Sequence, residues 1–148
     1  MSLPQLDHIG IAVKSISGAL SLYRDTLGIE LGDSEEVPSQ KVKVQFLETG
    51  QTRTELLEAT SVDSPIAEFI SRRGEGLHHI AYRVENLQQS MNQLATAGCR
   101  LIYPDPRPGS HGTLINFIHP TSSGGILIEL VEYSHDSPDH ASGEESGS

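Results

Sequence analysis

Leu6-Asp7-His8-Ile9-Gly10-Ile11-Ala12-Val13 is the stretch that decides the fold, because a close copy of it returns 71 positions later as Leu77-His78-His79-Ile80-Ala81-Tyr82-Arg83-Val84. A second echo, at an offset of 74, pairs Thr54-Glu55-Leu56-Leu57-Glu58 with Ile128-Glu129-Leu130-Val131-Glu132. Self-similarity at a fixed spacing indicates a repeated structural unit. The sequence therefore predicts two similar modules, each with one His near its start and one Glu near its end.

Each module is predicted to contain a β-strand, an α-helix and three further β-strands. Residues alternate in character along 6–13 and 77–84, which is the period of a half-buried strand. Apolar residues follow at helical spacing, at Ile16, Leu20, Tyr23 and Leu27 in the first module and at Leu87, Met91 and Leu94 in the second. The remaining strands are predicted at 29–31, 42–47 and 53–58, and at 100–103, 113–118 and 126–132. We therefore predict an α+β fold in which paired βαβββ modules form a curved sheet around a shared metal site.

The modules are expected to form one domain over residues 1–133. They occupy residues 5–60 and 76–133, and a helical linker at 61–75 joins them. Pro65 suits the first position of that linker helix, because proline needs no hydrogen-bond partner there. Residues 134–148 consist almost entirely of Ser, Asp, Glu, His and Gly, so we predict a disordered acidic tail.

Composition narrows the class of protein. A formal net charge of -10 disfavours binding to nucleic acid or to an anionic membrane. A single cysteine, Cys99, cannot form an intrachain disulfide, which fits the reducing cytoplasm. The N-terminus shows no signal-like apolar stretch, and no run is long enough to span a bilayer. We expect a cytoplasmic globular protein.

The two modules together offer His8, Glu55, His79 and Glu129 as metal ligands. Strand parity directs each Glu to the same side of its sheet as the His residues. Two imidazoles and two carboxylates suit a divalent ion of intermediate hardness, with open positions for substrate. Alternatively, any one of these residues could simply lie on the solvent-exposed face of its strand. The presence of all four in register across the repeat disfavours that alternative. His78 has the opposite parity and is predicted either to be structural or to support the metal ligands without binding the ion.

The chain resembles the vicinal oxygen chelate (glyoxalase/bleomycin resistance) superfamily and, within it, the methylmalonyl-CoA epimerases. The resemblance covers residues 5–133. Besides the repeated strands, it depends on Gly76-Leu77-His78-His79, Asn116-Phe117-Ile118-His119-Pro120 and Gly124-Gly125-Ile126-Leu127-Ile128-Glu129. It implies that His8, His79 and Glu129 bind a metal and that Glu55 stands where similar proteins have Gln or Glu.

The resemblance also implies an activity. The expected reaction removes and returns the C2 proton of methylmalonyl-CoA through a metal-stabilised enolate, with Glu129 as the first candidate for the base and Glu55 as the second. Residues 42–47 contain no acidic residue that could act as a separate second base. Co²⁺ is the expected ion, with Mn²⁺, Ni²⁺, Fe²⁺ and Zn²⁺ as alternatives, and a homodimer is expected.

Two other functions are compatible with this architecture. A glyoxalase I-like isomerase would use the same ligands and similar chemistry on a glutathione hemithioacetal. A metal-free protein of the same fold would bind a small ligand between the modules and would not need four ligand-type residues. Absence of metal from the purified protein would favour the second of these.

Overall fold

The computed structural model describes residues 3–134, and the chain divides into two compact units. The first unit is His8–His78, and the second combines the described residues of Met1–Asp7 and His79–Ser148. Strand β1 (Gln5–Ala12) contributes its last five residues to the first unit. Of the tail predicted at residues 134–148, all but the first residue lies outside the described residues.

The first unit follows the predicted βαβββ order. After β1 come α1 (Ile16–Leu20), a π-helical turn (Ser21–Thr26), β2 (Glu30–Val37), a 3₁₀ turn (Pro38–Gln40), β3 (Val42–Glu48), β4 (Arg53–Ala59) and α2 (Pro65–Arg73). The strands are hydrogen-bonded in the order β2-β3-β4-β1. Only the β4–β1 pair is parallel. A parallel pair needs a long connection, and here α1, β2 and β3 lie between its two strands.

Both faces of this four-stranded sheet are covered by helices. On one face, Ile16 and Leu20 of α1 pack against Leu47 and Leu56. On the other, α2 places Ile66 in a cluster with Ala12, Val42, Val44, Phe46 and Leu57. The predicted start of α2 is confirmed, because Pro65 is its first residue and the Ser64 hydroxyl accepts a hydrogen bond from the Ile66 amide.

The second unit repeats the same order. It contains all of β5 (Gly76–Arg83) but its first three residues, followed by α3 (Leu87–Thr96), β6 (Arg107–Pro108), a 3₁₀ turn (Ser110–Gly112), β7 (Leu114–Ile118), a 3₁₀ turn (Pro120–Ser122) and β8 (Ile128–Glu132). Its strands are ordered β5-β8-β7-β6, and only β5–β8 is parallel. The predicted α+β class with paired βαβββ modules is therefore confirmed. Among residues 3–134, no helix has the length and apolar character needed to cross a membrane.

The repeat extends to the way each helix begins. The Glu58 carboxylate accepts a hydrogen bond of 2.7 Å from the Ile16 amide at the start of α1, and Glu132 accepts one of 2.7 Å from Leu87 at the start of α3. A carboxylate at this position satisfies an amide that has no partner within the helix and interacts favourably with the helix dipole. The second Glu of each repeated strand is therefore a helix cap.

The first helix differs from the prediction, because α1 ends at Leu20 and a π-helical turn continues to Thr26. In that turn the Leu27 amide donates to the Leu22 carbonyl, five residues back, over 2.9 Å. The Thr26 hydroxyl also donates to the Ser21 carbonyl over 3.0 Å. A hydroxyl bound to a helix carbonyl competes with the regular amide ladder, which accounts for the wider turn.

The prediction of a strand at 100–103 is wrong. Only an isolated bridge between Leu101 and Ile118 forms there, and the edge strand is the two-residue β6. Pro104 and Pro106 lack amide donors and so interrupt the ladder. The Asn116 amide instead binds the Tyr103 backbone, accepting from its N–H at 3.1 Å and donating to its carbonyl at 3.0 Å.

Candidate metal centre

In the first unit, His8 and Glu55 lie side by side on neighbouring parallel strands. The register pairs Gly10 of β1 with Glu55 of β4, so His8 and Glu55 project from the same face. The glycine has no side chain to separate them, and His8 Nδ1 lies 3.4 Å from Glu55 Oε2. Both side chains are buried, at 5% and 4% exposure. The first unit therefore contains a buried imidazole–carboxylate pair.

The second unit contains the equivalent pair at the equivalent place. Ala81 of β5 is in register with Glu129 of β8, as Gly10 is with Glu55 in the first unit. His79 Nε2 lies 3.0 Å from Glu129 Oε1, and both residues are buried. Strand parity predicts that each Glu points to the same side of its sheet as the His residues, and within each unit the register agrees with this. The role of these residues as metal ligands stays a prediction.

The donor atoms fit a divalent metal ion. Two ligand atoms about 2.1 Å from one ion lie roughly 3.0–3.4 Å apart at angles between octahedral and tetrahedral. The pairs measure 3.4 Å for His8–Glu55 and 3.0 Å for His79–Glu129, which matches that range. Burying carboxylates beside imidazoles is costly unless they are paired or coordinate a metal. An ion bound at either pair would neutralise the charge of its carboxylate.

A phenylalanine lies next to each pair, and neither was predicted from the sequence. Phe46 is in register with Glu55, and Phe117 is in register with Glu129. The Phe117 ring meets the His79 ring edge to face, with centroids 6.0 Å apart. These two phenylalanines are separated by the repeat offset of 71, which was the signal that could have identified them. They exclude water from one side of each pair and thereby strengthen its electrostatic interactions.

Two arginines stack on aromatic rings near these pairs. The Arg53 guanidinium carbon lies 4.6 Å from the Phe46 ring centroid in the first unit. In the second unit Arg107 lies 4.4 Å from the Tyr103 centroid, and Tyr103 in turn contacts Phe117 at 6.3 Å. Such cation–π contacts fix the plane of each guanidinium.

Asp7, which precedes His8, is anchored separately. It is 2% exposed, and the Tyr133 hydroxyl lies 2.9 and 3.1 Å from its two carboxylate oxygens. Arg83 stacks on the Tyr133 ring at 4.4 Å. This anchor ties the start of β1 to the residue that follows β8 within the second unit.

The other histidines of the described chain have different surroundings. His78 packs edge to face on Phe69 of α2, with centroids 5.0 Å apart, as its strand parity predicts for a structural residue. His119 Nδ1 accepts from the Thr121 amide and lies 2.8 Å from the Thr121 hydroxyl, so it caps a turn. His111 has a positive φ of 54° in the loop before β7. His135 and His140 lie outside the described residues.

A model of the Glyoxalase/Bleomycin resistance protein/Dioxygenase superfamily matches residues 7–117. The chain is 42% identical over 128 residues to the uncharacterized protein YqjC of Bacillus subtilis strain 168, which covers 86% of this chain and 91% of that protein. It is 38% identical over 130 residues to the ethylmalonyl-CoA/methylmalonyl-CoA epimerase of Cereibacter sphaeroides, which covers 86% of this chain and 97% of the relative.

Solved structures also include an epimerase that is similar to this chain over most of its length. A methylmalonyl-CoA epimerase in complex with methylmalonyl-CoA and NH4+ superposes with a TM-score of 0.85 at 34% identity. That match covers 92% of this chain and 99% of the epimerase. At this identity the likeness extends beyond the general fold to the sequence of the whole matched region.

Proposed function

Because this chain belongs to the Glyoxalase/Bleomycin resistance protein/Dioxygenase superfamily, we propose that it is a metal-dependent epimerase that interconverts the C2 epimers of methylmalonyl-CoA. The observation with most weight is that each unit holds a buried His beside a buried Glu. The identity to epimerases over nearly their whole length supports the choice of substrate. The acyl-CoA is therefore proposed as the partner of this site.

His8, Glu55, His79 and Glu129 are proposed to bind one divalent ion jointly. Their donor set and the spacing within each pair support this proposal. Co²⁺ is the proposed ion, and Mn²⁺, Ni²⁺, Fe²⁺ and Zn²⁺ accept the same nitrogen and oxygen ligands. When bound, the ion would supply Lewis-acid stabilisation of the negative charge that develops on the thioester oxygen.

Glu129 is proposed to take the proton from C2 of the substrate. The C2–H bond lies between a carboxylate and a thioester carbonyl, so the charge left by proton removal spreads onto the carbonyl oxygen. A carboxylate can remove this proton only when the resulting charge is stabilised and water is excluded. Burial of Glu129 beside Phe117 and His79 provides the water exclusion.

Glu55 is proposed to serve the opposite face of C2. Epimerisation requires that one group removes the proton and another delivers it from the other side. On the neighbouring strand β3, Val42, Val44 and Phe46 share the face of Glu55 and are apolar and buried, and the one acid of that strand, Glu48, is an exposed residue at its end. Glu55 comes from the other module than Glu129, so the internal repeat supplies two carboxylates in equivalent settings.

The decisive assay for this proposal is hydrogen exchange at C2. Methylmalonyl-CoA in D₂O is expected to lose its C2 proton signal in the presence of the metal-loaded protein, and a chelator should stop the exchange. The hemithioacetal of glutathione and methylglyoxal serves as a parallel substrate, because glyoxalases share the superfamily. Turnover of the hemithioacetal with no exchange on methylmalonyl-CoA would replace the epimerase proposal with a glyoxalase one.

Cytoplasmic location and a homodimer remain proposals that accompany this function. The single cysteine supports a reducing compartment. Light scattering coupled to size-exclusion chromatography would give the mass of the assembly, and a monomer of 16.0 kDa would contradict the dimer.

A further inference from the structure

Arg53 is a half-buried cation in the same setting as the His8–Glu55 pair. It lies two residues before Glu55 on β4, so both side chains project from the same face of the sheet. It is also the register partner of His8 on β1. Its guanidinium carbon lies 4.6 Å from the centroid of the Phe46 ring.

The fold itself does not require a cation at this position. The repeat offset of 74 makes Leu127 the counterpart of Arg53 in the second unit. Leu127 is a partly buried side chain packed against Ile115, Phe117 and Val131. A leucine therefore fits the equivalent place, and partial burial of a guanidinium costs hydration that an apolar residue does not lose. This asymmetry indicates that the charge of Arg53 serves an anion.

We infer that Arg53 binds the free carboxylate of the acyl group, an inference that rests on the proposed epimerase function. With two Glu ligands and a divalent ion, the metal centre would have no net charge, yet the substrate brings a carboxylate and develops further negative charge. The chain as a whole carries -10, so a local cation is needed to hold such a ligand. Arg53 supplies that charge beside Glu55.

The geometry of a stacked arginine suits a carboxylate in particular. Contact with Phe46 holds the guanidinium plane, and its N–H edge matches the two oxygens of a carboxylate in a bidentate arrangement. CoA also carries phosphates, which present the same anionic oxygens. Half-burial beside Glu55 places Arg53 with the groups proposed to act on the acyl end, whereas phosphates are better served by exposed cations.

Arg107 provides a matched control, because it also stacks on an aromatic ring, Tyr103, at 4.4 Å but is exposed on the two-residue strand β6. The experiment titrates the metal-loaded protein by calorimetry with malonyl-CoA, propionyl-CoA and CoA, for the wild type and for Arg53→Met, Arg53→Lys and Arg107→Met. Malonyl-CoA has the acyl carboxylate and propionyl-CoA lacks it. Thermal melting checks that each variant is folded.

Arg53→Met is expected to reduce the affinity for malonyl-CoA by at least about tenfold, which is the size of one lost charge-assisted hydrogen bond. The affinity for propionyl-CoA should stay within about twofold of the wild type. Arg53→Lys should reduce the affinity for malonyl-CoA by less, because lysine keeps the charge but loses the two parallel N–H groups of the guanidinium. If the methionine variant does not fold, the selective loss of malonyl-CoA affinity is tested with the lysine variant. Arg107→Met should not separate the two thioesters.

If Arg53→Met lost affinity equally for both thioesters, the assignment would be overturned in favour of the CoA phosphates. If it bound both thioesters as the wild type does, any role of Arg53 in substrate binding would be overturned. Failure of the wild type to bind any acyl-CoA while it still binds metal would refute the proposed function and this inference together. Selective loss of malonyl-CoA would support both.

Discussion

The hydrogen bond from Tyr133 to Asp7 offers a quantitative test of how the chain before His8 is held. Tyr133→Phe removes only the hydroxyl, because the ring and its stacking with Arg83 at 4.4 Å remain. The hydroxyl lies 2.9 and 3.1 Å from the two Asp7 oxygens, so its one hydrogen is shared between them. The structure therefore predicts the loss of one charge-assisted bond to a carboxylate that is 2% exposed.

Such a bond contributes about 1.5–3 kcal/mol to stability. The larger penalty for a buried charge with no compensation does not apply, because Asp7 retains a further interaction. Urea denaturation followed by circular dichroism measures the change in the free energy of unfolding. Tyr23→Phe makes the same chemical change at a hydroxyl that has no hydrogen bond within residues 3–134, and it should alter that free energy by less than about 0.5 kcal/mol. Equal effects of the two variants would refute the importance of the Asp7 anchor.

Three further predictions follow from the site and the surface. Glu129→Gln is expected to retain some metal but to lose C2 proton exchange by orders of magnitude, and full activity of this variant would exclude Glu129 as the base. Glu55→Gln should keep substantial exchange, because Glu129 still removes and returns the proton on its own face, but should lose interconversion of the two epimers; retained interconversion would show that Glu55 is only a ligand. Chelation should lower the melting temperature and added divalent ion should restore it, because a ligand that binds only the folded state stabilises that state; a melt insensitive to chelator would contradict the metal centre. Asp63 forms an ion pair with Lys41. Hydrogen bonds from Lys41 and from Ser61 lower the pKa of Asp63 from 3.8 to about 2, so the stability that Asp63 contributes is present above its unfolded pKa and is lost as pH falls through its folded pKa. The melting temperatures of Asp63→Asn and the wild type should therefore converge between about pH 4 and pH 2, and a constant difference would show that the ion pair does not contribute.

The arrangement within each module could be predicted from the sequence because it depends on local periodicity. Side chains alternate along a strand with a period of two, so the spacing of His8 from Gly10 and of Glu55 from Leu57 already fixes which face each occupies. The repeat then supplies an independent check, since His79 and Glu129 stand at equivalent positions. The shared face of His and Glu in each unit follows from these two patterns, whereas the His–Glu contacts were not predicted.

Other features depend on contacts between distant parts of the chain, which residue types alone do not specify. The Tyr133–Asp7 bond joins residues 126 positions apart, and a tyrosine after the last predicted strand gives no indication of its partner. The place of Phe46 and Phe117 opposite the two Glu residues depends on strand register. The edge strand was misplaced for a similar reason, because the side chain of Asn116 occupies the backbone groups of Tyr103.

The most direct test of the account is the stoichiometry of metal binding, because the central claim is that both modules supply ligands to one ion. Titration with Co²⁺ by calorimetry, checked by elemental analysis, should give one ion per chain for the wild type. His8→Ala and His79→Ala should each abolish that same binding event, whereas His78→Ala should retain it, since His78 packs on Phe69. Two ions per chain, or unimpaired binding after loss of either His8 or His79, would contradict a site shared by the two modules.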